Sequence, residues 1–492
     1  MRRATAVGVY AISQRICHAY SQKSKKKNPQ TISLLMQILR RIKSFVDDIE
    51  TKSFILFYVS CKIRFRFYGE ESIKNYQEKR VRKIVRYAME HSRFFREYYS
   101  SSNTNDIWNL PTVNKKVMME NLTDYNTVGL TKDEIINFCL ETEKTRDFSK
   151  RLRGLNVGMS SGTSGNKGVE IVSAEEERYM KATLFSRFDF SKGEKINLAF
   201  ILRVSAPAFS LGKFGHKLTY ISQLDSIDNI LKRLVELQPN MISAPPSMLK
   251  LLAKEKEKNN LPIKPIRLVS YAEVLYPDVK KYLEQVFRCP VREIYKCTEG
   301  PIAVSCRFGS LHINEDLVFV ETLNENNTQT PAGKPCKKLI VTDLHKKSQP
   351  IIRYELNDII TIAKDKCRCG SNFRVIEKIQ GRADDMFWGI RKDDRSKHFI
   401  CQDYISRAII SVSDEIEEHQ AIQKDYDSVV LRIKMKEGAG QEDIPARLIE
   451  GVKGVFSKYD CVEPEVDVLF ADPLPNKFSN KLARIICEIK DK

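Results

Sequence analysis

From about residue 150 onward, short segments rich in β-branched residues alternate with helical patterns, and this alternation limits the folds that the chain can adopt. Residues 197–202 read Asn-Leu-Ala-Phe-Ile-Leu, a strand pattern, whereas residues 229–235 carry apolar side chains at helical spacing. Strands alternating with helices favour an α/β fold, in which helices cover the faces of a β-sheet. With 492 residues, 42% hydrophobic and 29% charged, the chain can hold two or more globular domains.

Changes of pattern along the chain predict three parts. Residues 1–30 form a basic tail that we expect to be disordered. Residues 31–384 form a large multi-layer N-terminal domain with β-sheets flanked by helices, entered through helical residues 31–110. Residues 385–492 form a small α+β C-terminal domain.

The basic tail contributes to a net charge of +19 and contains no acidic residue. Such a tail can bind nucleic acid or anionic lipid, and it also resembles an organelle transit peptide. We favour a solvated leader without a specific nucleic-acid partner. Its basic residues are Arg2, Arg3, Arg15, Lys23, Lys25, Lys26 and Lys27.

The apolar and cysteine content points to a cytoplasmic protein. No stretch approaches about 20 uninterrupted apolar residues, so the sequence predicts no membrane span. Twelve cysteines are irregularly spaced, which favours reduced thiols.

A glycine-rich run at residues 160–168 reads Ser-Ser-Gly-Thr-Ser-Gly-Asn-Lys-Gly and precedes a strand pattern at 169–173. Glycines let the backbone approach a ligand closely, and backbone amides, hydroxyls and a lysine together suit a polyphosphate. The alternative is a flexible connector. The run lacks the G-x-x-x-x-G-K-[ST] pattern of a Walker A loop.

Four further segments follow the glycine-rich run, and each holds a carboxylate or a lysine in a motif-like setting. They read Ile-Tyr-Lys-Cys-Thr-Glu-Gly (294–300), Ile-Ile-Arg-Tyr-Glu-Leu-Asn-Asp (351–358), Gln-Gly-Arg-Ala-Asp-Asp (380–385) and Leu-Pro-Asn-Lys-Phe-Ser-Asn-Lys-Leu-Ala-Arg (474–484).

The order and spacing of these five segments resemble the adenylate-forming superfamily of acyl-CoA ligases, luciferases and peptide-synthetase adenylation domains. The resemblance covers about residues 65–492 and is nearest to the phenylacetate–CoA ligase-like branch, with its coenzyme F390 synthetases and CapK-type proteins. It implies an AMP-forming ligase that converts a small carboxylic acid and ATP into an acyl-adenylate and passes the acyl group to coenzyme A. It also implies that the small domain turns on a hinge.

The resemblance assigns contacts with adenine, the phosphates and Mg²⁺ to the first two segments. Tyr295 would stack on adenine, Thr298 would contact the α-phosphate, and Glu299 would hold Mg²⁺, which prefers oxygen ligands. The phosphate loop would consist of Ser161, Gly162, Thr163, Ser164, Gly165 and Lys167.

The remaining roles that the resemblance implies concern the ribose, the adenine edge, the hinge and the reacting carboxylate. Asp358 would accept hydrogen bonds from ribose hydroxyls, and Arg382 would contact the ribose or the phosphates. Lys481 would bridge the acid and the α-phosphate. The weaker adenine contacts are Ala272 and Glu273, and the hinge residue is Asp384.

The chain departs from the family pattern at three positions. Lys296 and Asn480 stand where the family usually has glycine, and Asn357 replaces glycine in its usual Thr-Gly-Asp. The chemical side chains are kept, but Asn480 leaves Lys477 open as an alternative to Lys481.

A second set of residues predicts a structural metal site. Cys306 and His312 form C-x5-H, and Cys367 and Cys369 form C-x-C, which together supply four ligands suited to tetrahedral zinc. Some proteins of the resembled branch carry such a cluster. The alternative is four unrelated residues, with His312 paired to nearby Glu315 or Asp316 instead.

Cys297 lies inside the segment that holds Glu299 and could be taken for a nucleophile. We predict none, because no histidine and asparagine arrangement supports it.

Two other functions stay open at this point. An adenylate-forming enzyme could pass the acyl group to an amine, a hydroxyl or a carrier protein, in cofactor, capsule or natural-product biosynthesis. A non-catalytic nucleotide-binding or scaffold protein would bind ATP without turnover. The acid pocket is expected among Arg203–His216, Ser243–Ser247 and Ser270–Glu273, where aromatic residues favour an aryl or apolar acid or simply belong to the core. A homodimer is left open.

Overall fold

The computed structural model describes residues 49–104, 106–159, 168–188, 190, 194–202, 216–382, 386–400, 402–440, 442–475 and 482–489. The helices are α1 (Ile49–Phe67), α2 (Glu70–His91), α3 (Arg93–Tyr98), α4 (Lys115–Glu120), α5 (Leu122–Tyr125), α6 (Lys132–Thr145), α7 (Ala174–Arg187), α8 (Ile227–Leu237), α9 (Pro246–Glu257), α10 (Pro277–Phe287), α11 (Gln402–Ile410) and α12 (Ile444–Lys458). The strands are β1 (Asn156–Met159), β2 (Val169–Val172), β3 (Asn197–Leu202), β4 (Lys217–Ser222), β5 (Met241–Ala244), β6 (Arg267–Tyr271), β7 (Val291–Cys297), β8 (Gly300–Ser305), β9 (Leu311–Ile313), β10 (Val318–Leu323), β11 (Lys338–Asp343), β12 (Tyr354–Leu356), β13 (Asp358–Ile362), β14 (Val375–Arg382), β15 (Phe387–Ile390), β16 (Lys397–Ile400), β17 (Ile416–Asp425), β18 (Ser428–Met435), β19 (Glu465–Phe470) and β20 (Ile485–Cys487).

A nine-stranded sheet forms the centre of the molecule, in the order β13-β14-β9-β8-β7-β6-β5-β3-β4. Strands β4, β3, β5, β6 and β7 lie side by side in this order, and each neighbouring pair among these five is parallel. From β7 to β13 the neighbours are antiparallel. Parallel strands need crossover connections, and helices α8, α9 and α10 lie in the chain between β4 and β5, β5 and β6, and β6 and β7. The α/β class predicted from the alternating pattern is confirmed.

The crossover helices pack because their apolar residues recur at helical spacing. Helix α8 starts at the N-cap Ser226, whose hydroxyl accepts from the Asn229 amide, and it buries Ile230 and Leu234. Helix α10 starts with proline at its first turn and buries Leu283. These side chains meet the buried strand residue Leu268 in one hydrophobic cluster.

The N-terminal helices cover a second part of the core. Helix α2 buries a stripe at three- and four-residue spacing, which confirms the helical pattern predicted here. The stripe packs with the three-stranded antiparallel sheet β10-β11-β12. In the part of the chain that the structure describes, no helix has the length and apolarity needed to cross a membrane. The basic tail lies outside the described residues.

Strands β1 and β2 pair antiparallel up to Met159 and Val169. They therefore flank the glycine-rich run, whose residues 160–167 are not among those described.

The C-terminal elements have a core of their own. A four-stranded sheet, β19-β18-β17-β20, packs with α11 and α12 around Phe387, Leu431 and Phe456. This arrangement matches the α+β character predicted for the last hundred residues.

Candidate functional site

The predicted nucleotide residues lie where two parallel strands end. Strands β6 and β7 are neighbours in parallel register, with Tyr271 beside Ile294. Their carboxyl ends therefore lie at one edge of the sheet, the edge where ligands bind in open α/β folds. Ala272 and Glu273 follow β6 at this edge, and Thr298 and Glu299 follow β7.

The β6 end is shaped by its backbone. Ala272 has φ of 72°, a left-handed conformation that a residue with a side chain rarely adopts and that clusters at functional sites. Next to it, the Glu273 carboxylate accepts hydrogen bonds from the Ser247 amide (3.1 Å) and hydroxyl (3.0 Å). Glu273 thus holds the start of α9, and its predicted adenine contact stays a prediction.

Tyr295 and Asp358, which belong to two different sequence motifs, meet at this edge. The Tyr295 hydroxyl donates to Asp358 Oδ2 at 2.5 Å. Burial raises the pKa of Tyr295, and the Asp358 carboxylate raises it further, so the tyrosine stays protonated and remains a donor. Asp358 opens β13 and pairs in register with Arg382, of which the structure describes the backbone.

Glu299 occupies the short turn between β7 and β8 and is buried. It lies close to the Tyr354 hydroxyl: burial and then the Glu299 carboxylate raise the pKa of that tyrosine. Burial, Glu299 and Asp358 also raise the pKa of Cys297 well above its usual value. Cys297 therefore stays a protonated thiol, which agrees with the prediction that it is no nucleophile.

An ion pair between Lys296 and Glu170 is the part of this site that the sequence did not reveal. Lys296 Nζ lies 3.1 Å from Glu170 Oε2 and also donates to the Cys297 carbonyl at 3.2 Å. Burial lowers the pKa of Lys296, but Glu170, Tyr271 and Cys297 together outweigh burial and leave the pKa raised. The buried Lys346 approaches the other Glu170 oxygen at 3.9 Å. Lys296, which stands where the resembled family usually has glycine, thus joins β7 to β2, next to the glycine-rich run.

Several predicted residues lie outside the described ones and receive no structural account. They are Ser161, Gly162, Thr163, Ser164, Gly165, Lys167, Asp384 and Lys481.

The four predicted zinc ligands converge on one point. The ligand atoms of Cys306, His312, Cys367 and Cys369 all lie within 4.8 Å of one another. Cys306 Sγ is 3.7 Å from Cys367 Sγ, and Cys369 Sγ is 3.4 Å from His312 Nε2. A tetrahedral zinc with Zn–S bonds of about 2.3 Å and Zn–N bonds of about 2.0 Å would separate such atoms by roughly 3.8 and 3.5 Å. The donor set and spacing fit a four-ligand structural zinc site.

The surroundings of His312 also fit a metal ligand. Its Nδ1 lies 2.9 Å from the Phe373 carbonyl, which leaves Nε2 facing the sulfur atoms. The alternative partners are engaged elsewhere: Glu315 binds Arg374, and Asp316 binds Arg187 and Arg64. The alternative pairing of His312 with Glu315 or Asp316 is therefore wrong.

Comparison with known proteins identifies relatives of the chain. No protein-family model matches it. It is 22% identical to the protein CapK of Staphylococcus aureus over 402 residues, which is 76% of this chain and 80% of that protein. It is 30% identical to the phenylacetate-coenzyme A ligase of Thermus thermophilus over 161 residues, 31% of this chain and 36% of that protein. A shorter match of 160 residues, at 28% identity, relates it to the same enzyme of Pseudomonas putida.

Solved structures share the fold. The crystal structure of 2-hydroxyisobutyryl-CoA ligase with 2-HIB-AMP superposes with a TM-score of 0.65 at 18% identity, over 87% of this chain and 91% of that chain. The same ligase in an open conformation with 2-HIB-AMP and CoA gives a TM-score of 0.56. Together the relatives confirm the predicted resemblance to CapK and to phenylacetate–CoA ligases, and the solved structures show that the chain shares the fold of a CoA ligase.

Proposed function

We propose that this protein is an ATP-dependent, AMP-forming ligase that activates a small carboxylic acid and transfers the acyl group to coenzyme A. The observation that carries the proposal is the meeting of Tyr295, Asp358 and Glu299 at the carboxyl edge of the parallel strands. These are the side chains assigned to adenine, ribose and metal, and the relatives include phenylacetate-coenzyme A ligases.

The reaction joins two anions, so the site must supply cations. In the first step a carboxylate oxygen attacks the α-phosphorus of ATP, the bond to the β-phosphate breaks, and pyrophosphate leaves. Glu299 is the buried carboxylate that would hold Mg²⁺, and the ion would screen the phosphates when bound. Lys481 would stabilise the charge on the transferring group, while Tyr295 and Asp358 orient the nucleoside.

In the second step the acceptor attacks the acyl carbonyl and AMP leaves. Coenzyme A is the acceptor in the names of the phenylacetate-coenzyme A ligases, and this favours a thiol over an amine, a hydroxyl or a carrier protein. A protein that binds ATP without turnover is not favoured, because the described motifs keep every side chain to which the family resemblance gives a chemical role.

We also propose that the small C-terminal part, residues 385–492, turns on Asp384 between the two steps. Its separate hydrophobic core supports this division. Such a rotation would let one lysine enter and leave the site.

The cysteine and histidine cluster would hold structural zinc. With four protein ligands the ion keeps no open position, so its role would be to tie the β8–β9 turn to the β13–β14 loop. The cysteines that the structure describes form no disulfide bond, which supports a cytoplasmic protein. A homodimer stays a prediction.

The proposal is tested with purified protein and a panel of aryl, aliphatic and hydroxy acids, phenylacetate first. We expect carboxylate-dependent exchange of pyrophosphate into ATP, and AMP with an acyl-CoA when coenzyme A is added. Acyl-adenylate that reacts only with an amine, a hydroxyl or a carrier protein would show that the acyl acceptor is one of these and that coenzyme A is not. Absence of exchange with every acid, together with absence of ATP binding, would overturn the enzyme reading.

A further inference from the structure

The ion pair between Lys296 and Glu170 lies beside the place where the acid has to react. Thr298, the residue assigned to the α-phosphate, follows Lys296 by two residues, so their Cα atoms are at most about 7 Å apart. The attacking carboxylate must lie next to the α-phosphorus. A long side chain at position 296 can therefore reach the body of a bound acid.

Lys296 is also close to the segment in which the acid pocket is expected. Tyr271 ends β6, in parallel register beside β7, and belongs to the expected pocket segment 270–273. Burial raises the pKa of Tyr271, and the nearby Lys296 ammonium lowers it. The ammonium is thus near both Glu170 and the expected pocket.

The pair keeps hydrogen-bonding capacity for a ligand. An ammonium has three N–H donors, and in the part of the chain that the structure describes Lys296 uses two, to Glu170 Oε2 at 3.1 Å and to the Cys297 carbonyl at 3.2 Å. Glu170 Oε1 lies 3.9 Å from Lys346 Nζ, which is beyond hydrogen-bond distance. The side chains of Lys296 and Glu170 are 11% and 22% exposed, so neither is sealed from solvent. The pair therefore offers one donor and one acceptor side by side.

The third charge of the cluster points to a missing polar group. Lys346 Nζ is buried and has no hydrogen-bond partner among the described residues. Buried polar groups are normally paired, so the cluster of Lys296, Glu170 and Lys346 has more donors than acceptors. A bound oxygen atom would supply an acceptor.

A hydroxyl group matches this arrangement, because it accepts one hydrogen bond and donates another. A second carboxylate would accept from Lys296 but would be repelled by Glu170, and an apolar group would leave the donor unpaired. Building on the proposed function, we propose that the Lys296–Glu170 pair binds a hydroxyl group of the substrate, so that the acid activated by this ligase is a hydroxy acid.

The test compares hydroxy acids with the same acids that lack the hydroxyl. Pyrophosphate exchange gives kcat/KM for phenylacetate beside mandelate and the three ring-hydroxylated phenylacetates, and for butyrate beside the three hydroxybutyrates. We expect the wild type to favour at least one hydroxy acid over its parent acid by about tenfold or more, because a site that hydrogen-bonds a hydroxyl discriminates against the analogue that lacks it.

Two paired substitutions show which residues cause the preference. Lys296→Met with Glu170→Met should reduce it to about twofold or less. The matched control is Lys280→Met with Glu293→Met, which removes another lysine–glutamate pair, 3.3 Å apart, that joins α10 to the same strand β7, and it should keep the wild-type preference. If the first double variant does not fold, Glu170→Gln decides, because it keeps the shape of the side chain and should reduce the preference about threefold or more.

The outcomes separate this inference from the proposed function. A wild type that favours no hydroxy acid over its parent acid would overturn the inference, and so would an unchanged preference in Lys296→Met with Glu170→Met. Exchange with the parent acids would still uphold the proposed function in both cases. Absence of exchange with every acid would overturn the proposed function itself.

Discussion

The Tyr295 hydroxyl donates a 2.5 Å hydrogen bond to Asp358, and so connects two motifs that lie 63 residues apart in the chain. The tyrosine is assigned to adenine and the aspartate to ribose, and a single nucleoside must contact both. Their direct contact shows that the fold brings the two side chains together.

Asp358→Asn should weaken ATP binding about tenfold or more, because it removes the charge of the carboxylate that we propose accepts hydrogen bonds from two ribose hydroxyls. Tyr295→Phe keeps the aromatic ring and should weaken ATP binding less than the Asp358 variant. Isothermal titration calorimetry with ATP measures both. If Asp358→Asn binds ATP as the wild type does, the ribose assignment is wrong.

Purified protein should contain one zinc ion per chain, and Cys306→Ser should lose it with a large fall in thermal stability, because metal binding and folding are coupled. The control Cys336→Ser changes another buried cysteine, whose Sγ accepts from the Ile360 amide, and should keep its zinc. Elemental analysis and thermal unfolding measure the two effects. A zinc-free wild type would contradict the metal assignment.

Local pattern was sufficient to predict much of the fold. Residues 197–202 form strand β3, and residues 229–235 lie within helix α8. These predictions depend on apolar spacing within one element. The antiparallel extension of the sheet from β7 to β13 was not predicted, because strand order depends on contacts between distant residues.

The candidate site shows the same limit. The meeting of Tyr295 and Asp358 follows from their motifs, but nothing near Lys296 in the sequence indicates that it binds Glu170, 126 residues earlier. Gln420 likewise reads as an ordinary strand residue, and only the structure shows that its side chain donates to the carbonyls of Leu474 and Ala483.

Lys296→Met should destabilise the fold by about 2 kcal/mol, because it leaves Glu170 partly buried and short of a hydrogen-bonding partner. Lys346→Met should cost less, since that ammonium approaches Glu170 only at 3.9 Å. The double variant Lys296→Met with Glu170→Met should recover part of the loss. Urea unfolding of the wild type, Lys296→Met, Glu170→Met and the double variant measures the coupling, and additive effects would show that the pair is unimportant.

Asp343 should make stability depend on pH. Burial raises its pKa to about 6, whereas an unfolded aspartate titrates near about 3.9. The folded chain therefore binds the Asp343 proton more tightly than the unfolded chain does. The stability that this difference gives is lost as the pH rises through about 6.

Asp343→Asn cannot ionise, so its free energy of unfolding should gain about 1 kcal/mol over the wild type between pH 5 and pH 7. Urea unfolding at several pH values measures the difference, with the exposed Asp228→Asn as baseline. If the free energies of unfolding of Asp343→Asn and wild type differ by the same amount at every pH, the raised pKa of Asp343 is contradicted.

Pyrophosphate exchange by two lysine variants tests the central claim, an adenylate-forming ligase, most directly. Lys481→Ala and Lys477→Ala remove the same charge four residues apart in one segment. We expect Lys481→Ala to lose carboxylate-dependent exchange by about a hundredfold or more while it still binds ATP, and Lys477→Ala to exchange like the wild type. Normal exchange in Lys481→Ala would contradict the catalytic assignment, and absence of exchange in the wild type, with no ATP bound, would contradict the function itself.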